Sequence, residues 1–120
     1  MKKILIVEDD LEVQSLYKQK LDQSGYTVMQ AYTGQDGLDS VKSGLPDLII
    51  LDIMLPGGIN GFDVLEQLKR DQQTASIPVF VLTNLDAEEE TAKSLGVIEY
   101  IVKTRTSLED VTDKIRKVLG

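Results

Sequence analysis

The chain reads as an α/β protein: a doubly wound, five-stranded parallel sheet in the order 2-1-3-4-5, with helices on both faces. Three observations predict it. Short β-rich runs alternate with stretches of helical spacing along the whole sequence. Three of the runs, notably Leu48-Ile49-Ile50-Leu51 and Val79-Phe80-Val81-Leu82, are apolar on both faces, as central strands covered by two helix layers must be. Turn residues at Gly44, Pro46, Pro56-Gly57-Gly58, Pro78 and Gly96 separate the elements.

In chain order, the strand-like runs are Lys3-Val7, Thr27-Ala31, Leu48-Leu51, Val79-Leu82 and Ile98-Val102. After the first run, Val13, Leu16, Tyr17 and Leu21 are spaced to form one apolar helix face, with Glu12, Lys18 and Asp22 turned to water and Ser24-Gly25 as the stop. Weaker helical patterns cover Gly34 to Ser43, Gly61 to Arg70 and Asp86 to Leu95. The last helix carries Leu108, Val111, Ile115, Val118 and Leu119, and Thr106-Ser107-Leu108-Glu109 before it has the form of a capping box. Nothing reads as a linker or repeat, so residues 1–120 are expected to be one domain.

Composition narrows the chemistry. With 120 residues, 42% of them apolar, a single core can form without staples. There is no cysteine and no histidine, which removes thiolate metal sites, disulfides and the commonest general base. The balance of 13 basic against 20 acidic residues gives a net charge of −7, which repels phosphate backbones and argues against direct nucleic-acid binding. The apolar start Ile4-Leu5-Ile6-Val7 runs into Glu8-Asp9-Asp10 far too soon for a signal peptide, and no stretch is long enough to span a bilayer. A cytoplasmic protein without a membrane partner is expected.

In open α/β sheets ligands bind beyond the carboxyl ends of the strands, at the switch in strand order. Glu8 and Asp9 follow the first strand and Asp52 the third, the two that flank that switch. Three carboxylates suit a hard cation such as Mg²⁺, whereas the absence of glycines makes the first turn a poor phosphate cradle. Asp10 is read as the cap of the first helix. Asp52, at the floor of the crevice beside like charges, needs compensation from a metal and from Lys103, whose stem can reach back across it. Lys103 as a solvated charge and Thr83 as an ordinary strand-end residue are the plainer alternatives.

Five blocks in order resemble the receiver domain of bacterial two-component response regulators, of the chemotaxis-regulator type. They are Ile4-Leu5-Ile6-Val7-Glu8-Asp9-Asp10, Leu51-Asp52-Ile53-Met54-Leu55-Pro56, Gly61-Phe62-Asp63-Val64-Leu65, Val81-Leu82-Thr83 and Tyr100-Ile101-Val102-Lys103. The resemblance implies a flavodoxin-like three-layer sandwich, Asp52 as phosphoacceptor, and Mg²⁺ held by Glu8, Asp9, Asp52 and the backbone carbonyl of Met54. It implies that Thr83 bonds a phosphoryl oxygen, that Lys103 pairs with the phosphoryl group, and that Tyr100 is the aromatic switch residue; a core tyrosine is the alternative. The domain would assist its own phosphorylation and dephosphorylation as a signalling module rather than as an enzyme. Implied partners are a histidine kinase or histidine phosphotransfer protein and a downstream protein target or output domain, with phosphorylation-dependent dimerisation left open.

The pattern departs from the family in two places. Thr104 follows Lys103 where a cis proline is usual, so a trans peptide and a rearranged loop are expected there, since a non-proline cis bond costs about 2.5–4 kcal/mol. The loop holding Gly57-Gly58-Ile59-Asn60 is one residue longer than usual. Met54 and Leu85, two positions beyond Asp52 and Thr83, are apolar and would shield an acyl phosphate from water. Three other readings compete. They are a receiver-like interaction module that is never phosphorylated, a flavin carrier lacking its phosphate loop, and a haloacid-type phosphatase lacking a second aspartate at Met54.

Overall fold

A computed structural model describes all 120 residues. Strands β1 (Lys3–Val7), β2 (Thr27–Ala31), β3 (Leu48–Leu51), β4 (Val79–Thr83) and β5 (Glu99–Val102) alternate with helices α1 (Leu11–Gln23), α2 (Gly34–Gly44), α3 (Gly61–Arg70), α4 (Glu89–Ser94) and α5 (Leu108–Leu119). The sheet is wholly parallel in the order β2-β1-β3-β4-β5. The doubly wound architecture expected from the sequence is therefore the one observed.

Alternation along the buried strands divides the core in two. Leu5, Val7, Ile49, Leu51, Val79 and Val81 face α2, α3 and α4, where Leu38, Val41, Val64, Leu65, Leu68 and Ala92 complete one cluster. Ile4, Ile6, Leu48, Ile50, Phe80 and Leu82 face α1 and α5, meeting Tyr17, Leu21, Val111 and Ile115 in the other. Every residue of β3 and β4 is buried, which is why those runs lack polar alternation. Each fully buried leucine, isoleucine or phenylalanine contributes roughly 1.5–3 kcal/mol, so the two clusters fix the register that carries the strand ends to one crevice.

Three sequence expectations need correction. The inward stripe of α1 is Gln14, Tyr17 and Leu21, while Leu16 lies 56% exposed. Helix α4 begins at Glu89 rather than Asp86; Glu88 makes no side-chain cap and only Ala92 is buried, so little holds the first turn. The cap of α5 is Ser107, whose hydroxyl accepts from the Asp110 N–H at 3.1 Å. The box anticipated from Thr106 does not form, and Glu109 instead pairs with Lys20 of α1 at 2.5 Å.

Candidate functional site

The end of β1 turns sharply into α1. Asp10 caps the helix, its carboxylate accepting from the N–H groups of Glu12 at 2.9 Å and Val13 at 3.2 Å. Glu8 continues the ladder for one more bond, its N–H donating to the Ala31 carbonyl at 3.0 Å, and Asp52 does the same from β3 to the Val7 carbonyl at 3.0 Å. These bonds set both residues at adjacent strand ends. Glu8 and Asp52 are 2% and 6% exposed, and Asp9 stands at the rim in solvent. One carboxylate oxygen from each of Glu8, Asp9 and Asp52 lies within 4.8 Å of the other two. Three hard oxygen donors so grouped suit Mg²⁺, which favours carboxylates and retains several waters.

Lys103 crosses from the end of β5 and satisfies both buried acids. Its ammonium donates to Glu8 Oε1, and to Asp52 Oδ2 at 3.1 Å. The other oxygens are also held: Glu8 Oε2 accepts from the Asp10 N–H at 3.1 Å and Asp52 Oδ1 from the Met54 N–H at 3.1 Å. Burial raises the Glu8 carboxyl from 4.5 to about 7, against the opposing pull of the Lys103 and Asp10 hydrogen bonds, and the nearby Asp52 charge adds to the rise. Burial alone would lower the Lys103 ammonium, but its bonds and charge contacts with Glu8 and Asp52 outweigh that and leave it above the ordinary lysine value.

Thr83 ends β4 and is fully buried; its hydroxyl accepts from the Leu85 N–H at 3.3 Å and makes no bond to the acids. Its carbonyl accepts from the Lys103 N–H at 2.8 Å, tying β4 to the lysine's own backbone. Tyr100 is half-buried and packs against the core cluster on the α2–α4 side, and its hydroxyl donates to the Leu85 carbonyl at 2.5 Å, just past Thr83. Burial pushes its phenol up, with Glu88, Glu89 and Asp86 nearby adding to the rise. Met54 is 60% exposed at the mouth and Leu85 half-buried.

The two departures noted in the sequence are local. No peptide bond is cis, and the turn after Lys103 closes with the Arg105 N–H on the Val102 carbonyl at 3.0 Å; Arg105 then reaches Asp86 at 2.8 Å. Lys103 meets the acids without a proline after it. Gly57 and Gly58 have φ of 89° and 87°, a region other residues rarely adopt. The loop is closed at its base by the Gly61 N–H on the Ile53 carbonyl at 2.8 Å and by a reciprocal cap between Asn60 and Asp63.

One residue at the site escaped sequence reasoning. Gln14 is 1% exposed, and its side-chain amide donates to the carbonyls of Ile6 and Glu8, both at 3.0 Å, and of Ala31 at 2.8 Å. A polar residue three and seven positions before two inward ones, Tyr17 and Leu21, was the available signal.

The sequence matches the response regulator receiver domain family over residues 4–116. The chain belongs to that family. Among curated relatives, this receiver domain is 36% identical to the DNA-binding dual master transcriptional regulator RpaA of Synechocystis, over 99% of the chain and 49% of the relative. It is 35% identical to the alkaline phosphatase synthesis transcriptional regulatory protein PhoP of Bacillus subtilis, over 98% of the chain and 48% of that protein. It thus spans about half the length of these two regulators. Protein PilH of Pseudomonas aeruginosa is 34% identical over 86% of both chains. Among solved structures, the response regulator TrrA of Thermotoga maritima, in complex with Mg²⁺ and BeF, superposes with a TM-score of 0.87 at 30% identity, covering 98% of this chain and 99% of that one. The chemotaxis protein CheY4 of Vibrio cholerae gives 0.88 at 25% identity, over 98% of each. No helix of the receiver domain is long and apolar enough to cross a membrane.

Proposed function

We propose that this receiver domain, acting as one unit over residues 1–120, takes a phosphoryl group onto Asp52 from a phosphohistidine of a histidine kinase or histidine phosphotransfer protein. The observation that carries the reading is the pairing of a buried Asp52 with Lys103 beside two further carboxylates. A carboxylate at the floor of a crevice, held by one N–H and one ammonium, is aimed and partly desolvated, and phosphoryl transfer asks the protein mainly for position and charge.

In the transfer, one Asp52 carboxylate oxygen bonds to phosphorus in line with the departing imidazole. The P–N bond breaks and its electron pair stays on the nitrogen, leaving an acyl phosphate on Asp52. Lys103 supplies positive charge where the phosphoryl oxygens gather. Glu8, Asp9, Asp52 and the Met54 carbonyl would hold Mg²⁺, which when bound supplies neutralising charge to those oxygens. Hydrolysis later returns the carboxylate. Leu11 and Leu16, exposed on α1 close to the acidic turn, offer the donor protein an apolar seat.

The phosphorylated carboxyl carries more charge and more acceptor oxygens than the free one. A hydrogen bond from the Thr83 hydroxyl to one of them would draw in the loop after β4, to which Tyr100 is already tied through the Leu85 carbonyl. The surface of α4, β5 and α5 would then change shape for a downstream protein or an output domain. Titration with Mg²⁺ and fluoroberyllate, followed by backbone NMR, tests this. The expected result is saturable shifts at residues 8–10, 52–54, 83–86 and 100–105 that require Mg²⁺. Shifts absent under saturating Mg²⁺ and fluoroberyllate would leave a docking module that is never phosphorylated.

A further inference from the structure

After the bond from the Glu8 N–H to the Ala31 carbonyl, β1 and β2 separate, and the Glu8 carbonyl that follows has no backbone donor although it lies within the protein. Gln14 fills the gap. Its amide nitrogen has two hydrogens and faces three carbonyls, of Ile6, Glu8 and Ala31, so one N–H is shared. Those three carbonyls fix which end of the amide faces the strands, and the amide oxygen at the other end accepts from the Gln30 side chain at 3.1 Å. The carbonyl of Glu8 begins the peptide that leads to Asp9, so the direction of both acidic side chains follows from where that carbonyl is held.

We propose that Gln14 is a positioning residue for the acidic pair, setting the backbone turn that presents Glu8 and Asp9 to a divalent cation. The inference rests on the reading of the site given above. An apolar side chain of similar size fills the same space but supplies no donor. The Glu8 carbonyl must then seek water or rotate, and either change swings the pair relative to Asp52. Asp52 and Lys103 are anchored by β3, β4 and β5 and keep their places. The consequence is selective: cation affinity falls, while chemistry at a saturated site does not.

The test compares Mg²⁺ binding by the full chain with that of Gln14→Met, Gln30→Met and Val41→Ala. The last removes buried volume from α2 on the opposite face of the sheet and serves as a control for lost stability. Gln14→Met is expected to raise the Mg²⁺ dissociation constant by about tenfold, the lower end for a residue that orients ligands without touching metal. Gln30→Met, which removes only the donor to the Gln14 amide oxygen, gives a smaller rise, and Val41→Ala gives none. Fluoroberyllate binding at saturating Mg²⁺ stays near that of the parent. In the metal-free parent, the Gln14 side-chain amide protons exchange slowly with solvent. Equal Mg²⁺ affinity in the parent and both glutamine variants, or loss in Val41→Ala as large as in Gln14→Met, overturns the assignment. A parent that binds no Mg²⁺ overturns the reading of the site itself, and with it this inference.

Discussion

Raising the pH from 6 to 8 should tighten Mg²⁺ binding by about tenfold, because the proton on Glu8 competes with the cation. The carboxyl is pushed up to about 7 by burial, so about one molecule in ten is ionised there at pH 6 and about nine in ten at pH 8. Lys103, raised above its ordinary value, stays protonated throughout and adds no slope in this window. The sign follows: affinity rises with pH through about 7, levels off above it, and binding near pH 7 releases a fraction of a proton. Calorimetry in two buffers of different ionisation enthalpy reads both quantities. Glu8→Gln should bind more weakly with no slope over the same range. A dissociation constant that stays level from pH 6 to 8 in the parent would refute the claim that burial pushes this carboxyl up to about 7.

Three further outcomes follow from the geometry. Gly61→Ala would place a Cβ 2.3 Å from the Asp52 carbonyl oxygen and 2.6 Å from the Ile53 Cα, backbone against backbone; urea unfolding should show a loss of about 1–3 kcal/mol, and an unchanged midpoint would mean that α3 is not seated so closely. Tyr100→Phe removes the bond to the Leu85 carbonyl and should cost about 1 kcal/mol, with faster amide exchange confined to the loop after β4; exchange that does not change there would contradict the tether. Polar replacement of Met54 and Leu85 together should shorten the life of phosphorylated Asp52 by admitting water. A half-life equal to the parent's would show that neither side chain shields it.

Much of this was legible because strand ends are marked in the sequence. Each of Glu8, Asp52, Thr83 and Lys103 follows an apolar run, and a parallel sheet brings such positions to one edge. What the runs do not encode is side-chain direction. Lys103 was expected at Asp52 and is found bonded to Glu8 as well. On α1 two stripes share Tyr17 and Leu21, one through Leu16 and one through Gln14; hydropathy favours the first, but only the second meets the Glu8 carbonyl, which has no backbone donor where β1 and β2 part. For α5, Thr106 and Ser107 are both residue types that cap helices; Ser107 is the one that does so, accepting from the Asp110 N–H, while Glu109 is turned to Lys20 of α1. The weak helical pattern from Asp86 to Leu95 did not mark where α4 starts, since no side chain caps the helix and only Ala92 within it is buried.

The central claim is that one carboxylate receives the phosphoryl group. Incubation with acetyl phosphate and Mg²⁺, followed by peptide mapping of the hydroxylamine-labile phosphate, tests it most directly. The expected label lies on Asp52 alone, depends on Mg²⁺ and is absent from Asp52→Asn; a label that persists in that variant, or that settles on another residue of the parent, would contradict the assignment of Asp52.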